Sequence, residues 1–492
     1  MDQLCKKNEE VFGYNFEETK EYIELFCEIG IIEVASYYND LEEVNPPKIK
    51  KISINHNRNE WIKYFNKSKM KIYEDVYLNN IAKIDNSFFP NNTQINVLNK
   101  LSLLWDNSVL LKNQFIEYIG KTRKITSYEL INSLTDFYKV KDKITNTQLA
   151  DIISIREEII NMVKENTNNC METDLSIKKV NELYMRLNYY SKMPISYTYF
   201  LQPNLDNSYV LNKVFSGYGR MFSKFQSDDN VVNIKNMHRN SLEHLEEEVK
   251  YLDLYGIYGF NANVHQTVTD YILDIENIWG GYELKDLSLA VDFERKELSF
   301  YLENKRVFPI TLGAISSRML PLFHRFLCDV NHIDSMDLDL NRRFIYSDWY
   351  ELSSDKIKFI PRVKAKDIIL ARNKWLINLS RYNSLKDESK FYSELIRDIE
   401  ANLIPGEFYV KPIDVKEISN VEQMNDFFKP QFINMKLITS YKLMYRIAKK
   451  CNFLLLEESK PNSLEKEKYP GDFKGATTEI GVESYFVQLE NN

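Results

Sequence analysis

Two glycines separated by one residue and followed closely by two cations most restrict how this chain can fold. Gly217 and Gly219 precede Arg220 and Lys224 within residues 211–225. Glycine lets the backbone approach another group closely or adopt a positive φ. Because Arg220 and Lys224 are four residues apart, both would point the same way on a helix that begins at Gly219. Such a helix start could bind a phosphate or a carboxylate, whereas the alternative is a loop-to-helix junction with a solvated basic face.

The composition describes a globular protein and excludes several classes. The chain has 492 residues, of which 44% are hydrophobic and 13% aromatic, enough for sizeable cores in several domains. Its net charge of −7 argues against a general nucleic-acid coat, although a local basic groove remains compatible with it. The five cysteines are scattered without any C-x-x-C spacing, so we expect neither a disulfide framework nor a metal site. With no signal-peptide pattern and no apolar run long enough to span a bilayer, the expected location is the cytoplasm.

The first part of the chain is predicted to be mainly helical. In residues 15–35 an amphipathic helix ends at Gly30 and a strand follows, as in the second half of a small winged-helix unit, although many folds contain this pattern. Apolar residues recur at helical spacing over 149–163, which predicts an amphipathic scaffold helix. A second helical pattern starts at Val180 and ends near Pro194.

Strand patterns begin after that proline. Residues 195–201 are β-branched and aromatic, a turn cluster follows over 202–207, and the chain re-enters at 209–211, so the glycine segment follows a predicted hairpin. We expect a helix from Gly219 to about Phe225, and a charged helix over 242–252. Residues 287–302 predict a second hairpin, because apolar residues alternate on both sides of a charged turn.

The most basic window of the chain lies at residues 358–375. In a strand, Arg362, Lys364 and Lys366 would share one face. Like charges on one face repel each other, so they are tolerated when they are solvated or when they face an anion. Solvation is the commoner case.

These patterns predict an α+β fold with several mixed subdomains: a helical N-terminal third, a hairpin-rich middle and a mixed C-terminal part. The predicted segments are a winged-helix-like remnant (1–45), a mainly helical subdomain (46–192), a mixed β-hairpin and helix subdomain with the glycine-rich motifs (193–332) and a mixed α/β subdomain (333–492). No nucleophile elbow, P-loop, zinc signature or dinucleotide fingerprint is present. The residues alone therefore indicate only a mixed protein with glycine-rich turns beside cations.

The order of several short motifs resembles the glutamylation region of the lantibiotic dehydratases, the LanB-type enzymes. Each motif is unspecific by itself, and their order and spacing over roughly residues 15–480 carry the resemblance. The motifs are Asn212 to Phe225, Tyr255-Gly256 to Asn263-Val264-His265, Val307-Phe308-Pro309, Phe323-His324-Arg325-Phe326-Leu327, Pro361-Arg362-Val363 with Arg372 and Trp375, Lys429-Pro430-Gln431-Phe432, and Leu456-Glu457-Glu458.

The resemblance implies a tRNA-dependent transferase that takes part in Ser/Thr dehydration. In that family, glutamyl-tRNA donates glutamate to Ser or Thr side chains of a precursor peptide, and a separate domain later eliminates it. The peptide hydroxyl attacks the aminoacyl ester and the tRNA ribose leaves. The implied partners are the precursor peptide and glutamyl-tRNA, with aminoacyl-tRNA as a co-substrate and no other cofactor.

Such a site needs cations for the tRNA acceptor end and the glutamate carboxylate, and donors for the developing oxyanion. The resemblance and the chemistry of the side chains suggest three catalytic residues, Arg220, Asn263 and Arg325. The residues suggested for tRNA or substrate binding are Asn212, Gly217, Gly219, Lys224, Arg362 and Arg372. No metal ligand is implied.

This sequence also departs from the family pattern. Lys224 stands where the pattern tends to have Arg, which keeps the charge but loses a bidentate fork, and His265 likewise replaces an expected Arg. The chain is expected to lack the start of the glutamylation region and the elimination domain. Two functions therefore remain open: a glutamyl-transferring component of lantibiotic-like peptide biosynthesis, and a non-catalytic peptide- or partner-binding subunit of a split dehydratase. A separate elimination or N-terminal subunit, or a homodimer partner, is compatible with both.

Overall fold

The computed structural model describes most of the chain beyond residue 88. The described residues are 89–145, 147–166, 172–187, 191–224, 228–255, 265, 267–274, 281–314, 316–317, 320–332, 334–341, 357–385, 387–415, 429–466 and 479–488. The chain divides into two compact units, Met1–Val76 with Val264–Thr267, and Tyr77–Asn263 with Val268–Asn492. Apart from His265 and Thr267, every described residue belongs to the second unit. The predicted winged-helix-like segment 1–45 lies outside the described residues.

The helices of the described part are spread along the chain. In chain order they are α1 (Asn92–Trp105), α2 (Asn107–Ile119), α3 (Ser127–Val140), α4 (Thr147–Asn166), α5 (Ile177–Met185), α6 (Asp228–Leu242), α7 (Leu322–Asp329), α8 (Ser380–Asn383), α9 (Glu388–Ala401), α10 (Ile438–Ala448) and α11 (Ser463–Lys466). No helix of the described residues is long and apolar enough to cross a bilayer.

The strands run between these helices. In chain order they are β1 (Arg123–Thr126), β2 (Glu172–Asp174), β3 (Ser191–Pro203), β4 (Tyr209–Ser216), β5 (Val249–Tyr255), β6 (Tyr271–Asp274), β7 (Leu287–Asp292), β8 (Glu297–Leu302), β9 (Lys305–Ile310), β10 (Ser335–Met336), β11 (Ile357–Ile360), β12 (Arg362–Ala365), β13 (Ile368–Ala371), β14 (Lys374–Asn378), β15 (Glu407–Val415), β16 (Gln431–Asn434), β17 (Cys451–Glu458) and β18 (Ile480–Gln488).

Three sheets organise these strands. The first has the order β1-β7-β8-β9-β5-β6, the second β18-β3-β4-β13-β12-β2 with β10 on β4, and the third β11-β14-β17-β15-β16. The third sheet is antiparallel throughout, whereas β5 runs parallel to both β9 and β6 in the first. The second sheet takes strands from three of the segments that the sequence analysis separates, so distant parts of the chain meet in it.

Each sheet is covered by its own helices, and the apolar stripes of those helices form its core. Helices α2, α3 and α7 pack on the first sheet through Phe115, Phe137 and Phe326. Helices α1, α4 and α5 cover the second sheet, and α8, α9 and α10 the third. Burial of these apolar faces stabilises the fold by about 25 cal/mol for each Å² removed from water.

Local signals set the helix boundaries that shape the site. Asp106 ends α1 and caps α2, where its side chain accepts a hydrogen bond from the Ser108 N–H at 2.7 Å. Gly120 ends α2 with φ 68°, the left-handed conformation that suits glycine. A capping box between Thr126 and Glu129 begins α3 directly after β1.

The predicted α+β class is confirmed. The hairpin at 287–302 forms β7 and β8, with Leu287, Leu289 and Val291 buried on one face. Three helix predictions differ from the structure. The helical pattern from Val180 towards Pro194 ends at Met185, and Pro194 lies in β3. The charged segment 242–252 is instead the end of α6, a loop and the start of β5. From Val249 onward the backbone pairs with β9 and β6 as a strand. The predicted helix at 219–225 is a turn followed by one 3₁₀ turn, Phe222–Lys224.

Candidate functional site

The glycine-rich turn follows β4 and is held tightly against β3. A Cβ on Gly217 would lie 1.9 Å from the Ser196 Oγ and 2.9 Å from the Ser196 carbonyl carbon. Gly219 has φ 75°, and a Cβ there would lie 2.5 Å from Ile234. Both glycines are therefore required by close packing, and Gly219 also by its backbone conformation.

The backbone N–H groups of this turn are already used inside the protein. Gly217 donates to the Ser196 carbonyl at 2.9 Å, and Tyr218 donates to the Ser196 Oγ at 3.2 Å. Gly219 donates to the Glu483 Oε1 at 2.8 Å. Burial raises the pKa of Glu483, although the hydrogen bond from Gly219 lowers it. The predicted helix does not begin at this turn, and these three donors face Ser196 and Glu483 inside the protein, as the alternative of a structural junction requires.

Arg220 is buried and ties the turn to the segment after α7. It is 2% exposed, and its guanidinium donates to the Gly313 carbonyl at 3.2 Å, the Ser216 Oγ at 3.1 Å and the Asp334 carbonyl at 2.8 Å. It also forms an ion pair with the Asp334 carboxylate. Burial opposes ionisation of Asp334, but Arg220 and the Ser316 hydroxyl outweigh it and lower the pKa of this carboxyl.

Asp334 lies in the wall of a large open cleft. The cleft has a volume of about 1090 Å³ and lies among α1, α2, α3, α7, β4 and the segment around β10. Its ionisable lining residues are Tyr138, Lys141, Asp142, Lys213, Arg325, Asp329, Asp334, Asp337 and Asp339. Five of them are carboxylates and three are cations, and two of the carboxylates pair with buried cations behind the wall, Asp334 with Arg220 and Asp339 with Lys374.

Arg325, predicted to be catalytic, lines this cleft. One turn further along α7, Asp329 Oδ2 accepts a hydrogen bond from Arg325 Nε at 3.3 Å. The guanidinium lies 5.5 Å from the centre of the Tyr138 ring, and its side chain is 37% exposed. Burial raises the pKa of Asp329, opposed by the hydrogen bond from Ser317 and by the charge of Arg325. The structure thus brings Arg325 and, through Asp334, Arg220 to the same cleft wall.

Two other predicted cations, Arg362 and Arg372, pair with adjacent carboxylates at the end of β17, Glu458 and Glu457. Arg372 donates to the Asn212 Oδ1 at 2.7 Å, so two residues predicted to bind substrate contact each other. Arg362 forms a bidentate pair with Glu458, with both hydrogen bonds at 2.9 Å, and also contacts Glu172 at 3.3 Å. Lys364 pairs with Glu172 at 2.6 Å, so two of the three cations predicted to share a face meet carboxylates of the chain itself.

Lys224 and Asn263 are the remaining predicted site residues. Lys224 is half-buried at the end of the 3₁₀ turn. Asn263 lies outside the described residues. The roles proposed for all the predicted site residues remain predictions.

Several residues of the cleft wall and of the glycine turn were not predicted from the sequence. Asp329 could have been found, because it follows Arg325 by four residues on one helix and faces the same way. Lys213 is adjacent to Asn212, yet alternation in β4 sends the two side chains to opposite faces, and Lys213 lines the cleft. Glu483 carries no local signal, since it is 264 residues from Gly219.

Comparisons with known proteins agree with the fold and with the resemblance. Residues 277–398 match the family model described as lantibiotic dehydratase, N terminus. A solved structure of the TbtB glutamylation domain from thiomuracin biosynthesis superposes with a TM-score of 0.64 at 16% identity, covering 97% of this chain and 62% of that one. A structure of the same domain bound to 5'-phosphodesmethylglutamycin gives a TM-score of 0.60 at 17% identity, covering 80% of this chain and 49% of that one. No curated protein matches the chain.

The resemblance to the glutamylation region of lantibiotic dehydratases is therefore confirmed. The chain spans less than two thirds of the length of the solved chains that it matches. The family match covers the hairpin β7–β8, α7 with Arg325 and Asp329, and β12 with Arg362.

Proposed function

We propose that this chain transfers glutamate from glutamyl-tRNA to Ser or Thr side chains of a ribosomally made precursor peptide. This is the first step of dehydration in the biosynthesis of lantibiotic-like peptides. The observation that carries the proposal is the fold shared with the glutamylation domain over 97% of the chain, together with the family match over residues 277–398.

The cleft beside α7 is the best candidate for the reaction. It is large enough for an extended peptide segment beside the aminoacyl end of a tRNA, since pockets for drug-sized ligands usually measure about 300–1,000 Å³. The guanidinium of Arg325 is partly exposed at its wall and can stabilise negative charge on the ester oxygen as it develops. Arg220 holds Asp334 in place from behind that wall, so its contribution is to position rather than to touch a substrate.

One assay tests the proposal. The purified chain is incubated with glutamyl-tRNA and the precursor peptide, with and without the product of a neighbouring gene, and the peptide is analysed by mass spectrometry. We expect glutamyl esters on Ser or Thr. A peptide that remains unmodified in both arms contradicts the proposal.

A further inference from the structure

Two carboxylates line the wall of the same cleft and interact electrostatically, and each is paired with one arginine and one serine. Asp334 pairs with Arg220 and accepts from the Ser316 Oγ at 2.7 Å. Asp329 pairs with Arg325 and accepts a hydrogen bond from Ser317. The two side chains are similarly exposed, at 20% for Asp334 and 21% for Asp329.

The two carboxylates differ in their affinity for a proton, because their surroundings differ. Asp334 is held as an anion by the buried Arg220, so its affinity for a proton is low. Asp329 pairs instead with Arg325, which is 37% exposed, and the charge of Asp334 acts on it as well. Tyr138 of α3 and the buried Cys328 of its own helix also interact electrostatically with Asp329. Burial and the nearby carboxylate therefore favour the protonated form of Asp329 and raise its pKa.

The charge of the cleft indicates which substrate enters it here. The five carboxylates and three cations of the described lining, together with Arg220 behind Asp334 and Lys374 behind Asp339, leave this wall without the excess of positive charge that binds a phosphate backbone. A neutral hydroxyl on a peptide does fit, because a carboxylate can accept its hydrogen bond.

We propose that the Ser or Thr side chain of the precursor peptide enters this cleft and that Asp329 is the catalytic residue that accepts its proton. This inference rests on the proposed function. The peptide O–H bond breaks, its proton passes to the Asp329 carboxylate, and the oxygen bonds to the ester carbon of glutamyl-tRNA. When that tetrahedral adduct collapses, the bond from the ester carbon to the ribose oxygen breaks, and Asp329 returns the proton to that oxygen. No electron donor or acceptor is needed.

The proton affinity of Asp329 suits this role. A general base works best when its pKa lies nearer the operating pH than that of an ordinary carboxyl. Arg325 lies beside Asp329 at 3.3 Å and is placed to stabilise the oxyanion while the proton moves.

The test measures single-turnover glutamylation of the precursor peptide with three variants. Asp329→Asn keeps the shape but cannot accept the proton, and we expect a rate loss of about 100-fold or more. Asp329→Glu should recover part of the rate. Asp136→Asn is the control, because that side chain is 69% exposed on α3 and pairs with Lys139 away from the cleft. It should react like the unmodified chain.

A pH profile separates a chemical role from a structural one. The rate of the unmodified chain should fall as pH drops through the raised pKa of Asp329, and the Asn variant should lack this acid limb. Ser317→Ala removes a hydrogen bond that lowers the pKa of Asp329, so the acid limb should move to higher pH. The Ser317→Ala variant keeps the test decisive if Asp329→Asn fails to fold.

The outcomes distinguish the two proposals. If the unmodified chain forms no glutamyl ester, the proposed function fails, and this inference fails with it. If the unmodified chain is active while Asp329→Asn keeps its rate, only the inference is overturned. An acid limb that Ser317→Ala does not move also overturns it.

Discussion

Replacing Arg220 with alanine should destabilise the chain rather than merely weaken its binding of substrate. Arg220 is 2% exposed and joins the turn after β4 to Gly313, Ser216 and Asp334. Its removal leaves the Asp334 carboxylate beside the cleft without its cation. Breaking a buried ion pair from one side costs about 3–5 kcal/mol. Because Asp334 keeps 20% exposure and the Ser316 donor, we expect the low end, about 3 kcal/mol.

Equilibrium unfolding in urea provides the measurement, followed by both circular dichroism and tryptophan fluorescence so that agreement of the two probes supports a two-state analysis. Arg220→Lys keeps the charge but cannot reach all four acceptors, so its loss should be smaller. In the double variant Arg220→Ala/Asp334→Ala the losses should not add, since the second change removes the stranded charge.

The pH dependence gives a further check on the same pair. The pKa of Asp334 is lowered in the folded chain, so the stabilisation by the pair is complete above the unfolded value of about 4. It is lost as pH falls through the folded value. The difference in the free energy of unfolding between the unmodified chain and Arg220→Ala should therefore be widest near neutral pH and narrow in acid. An alanine variant within about 0.5 kcal/mol of the unmodified chain at pH 7 would refute the structural role.

Two further substitutions test the packing and the ion pairs described above. Gly217→Ala places a Cβ 1.9 Å from a serine Oγ of β3 and should lower the free energy of unfolding by about 1–3 kcal/mol, whereas Gly406→Ala, with no atom within 4 Å of the new Cβ, should leave it unchanged or raise it slightly. Equal urea midpoints for the two variants would contradict the close packing. Arg362→Ala strands Glu458 and should cost about 3 kcal/mol by the same measurement, against about 0.5 kcal/mol or less for the exposed Arg397→Ala; losses of the same size would contradict the buried pair.

Periodicity predicted the regular elements because their pairing is local. The hairpin β7–β8 has its turn and its alternating core within residues 287–302, so short-range pattern was sufficient. The strand β3 and the chain re-entry at Tyr209 were predicted for the same reason. The short strands β1 and β2 were missed, since each pairs with a strand far along the chain and carries little pattern of its own.

The ion-pair partners of Arg220 and Arg362 could not be predicted, because they are distant in sequence. Arg220 is paired with a carboxylate 114 residues away, and Arg362 with one 96 residues away. A cation whose partner is hidden in this way looks available for a ligand. The position of Arg325 was easier to predict, since its partner Asp329 is on the same helix and the Arg325 side chain remains partly exposed.

The glycine turn also combines a local feature that the sequence indicated with a distant partner that it did not. The sequence indicated correctly that Gly217 and Gly219 permit a close approach of the backbone. It could not reveal that β18 brings Glu483 to the Gly219 N–H, which satisfies the donor that an anion would need. That contact favours the structural alternative for the turn over the anion-binding one.

The central claim is that this chain attaches glutamate to a peptide hydroxyl. The most direct measurement is mass spectrometry of the precursor peptide after incubation with the purified chain and glutamyl-tRNA, with and without a neighbouring gene product. The account predicts a glutamyl ester on Ser or Thr that depends on charged tRNA. An unmodified peptide in every arm, while the chain remains folded, would contradict it.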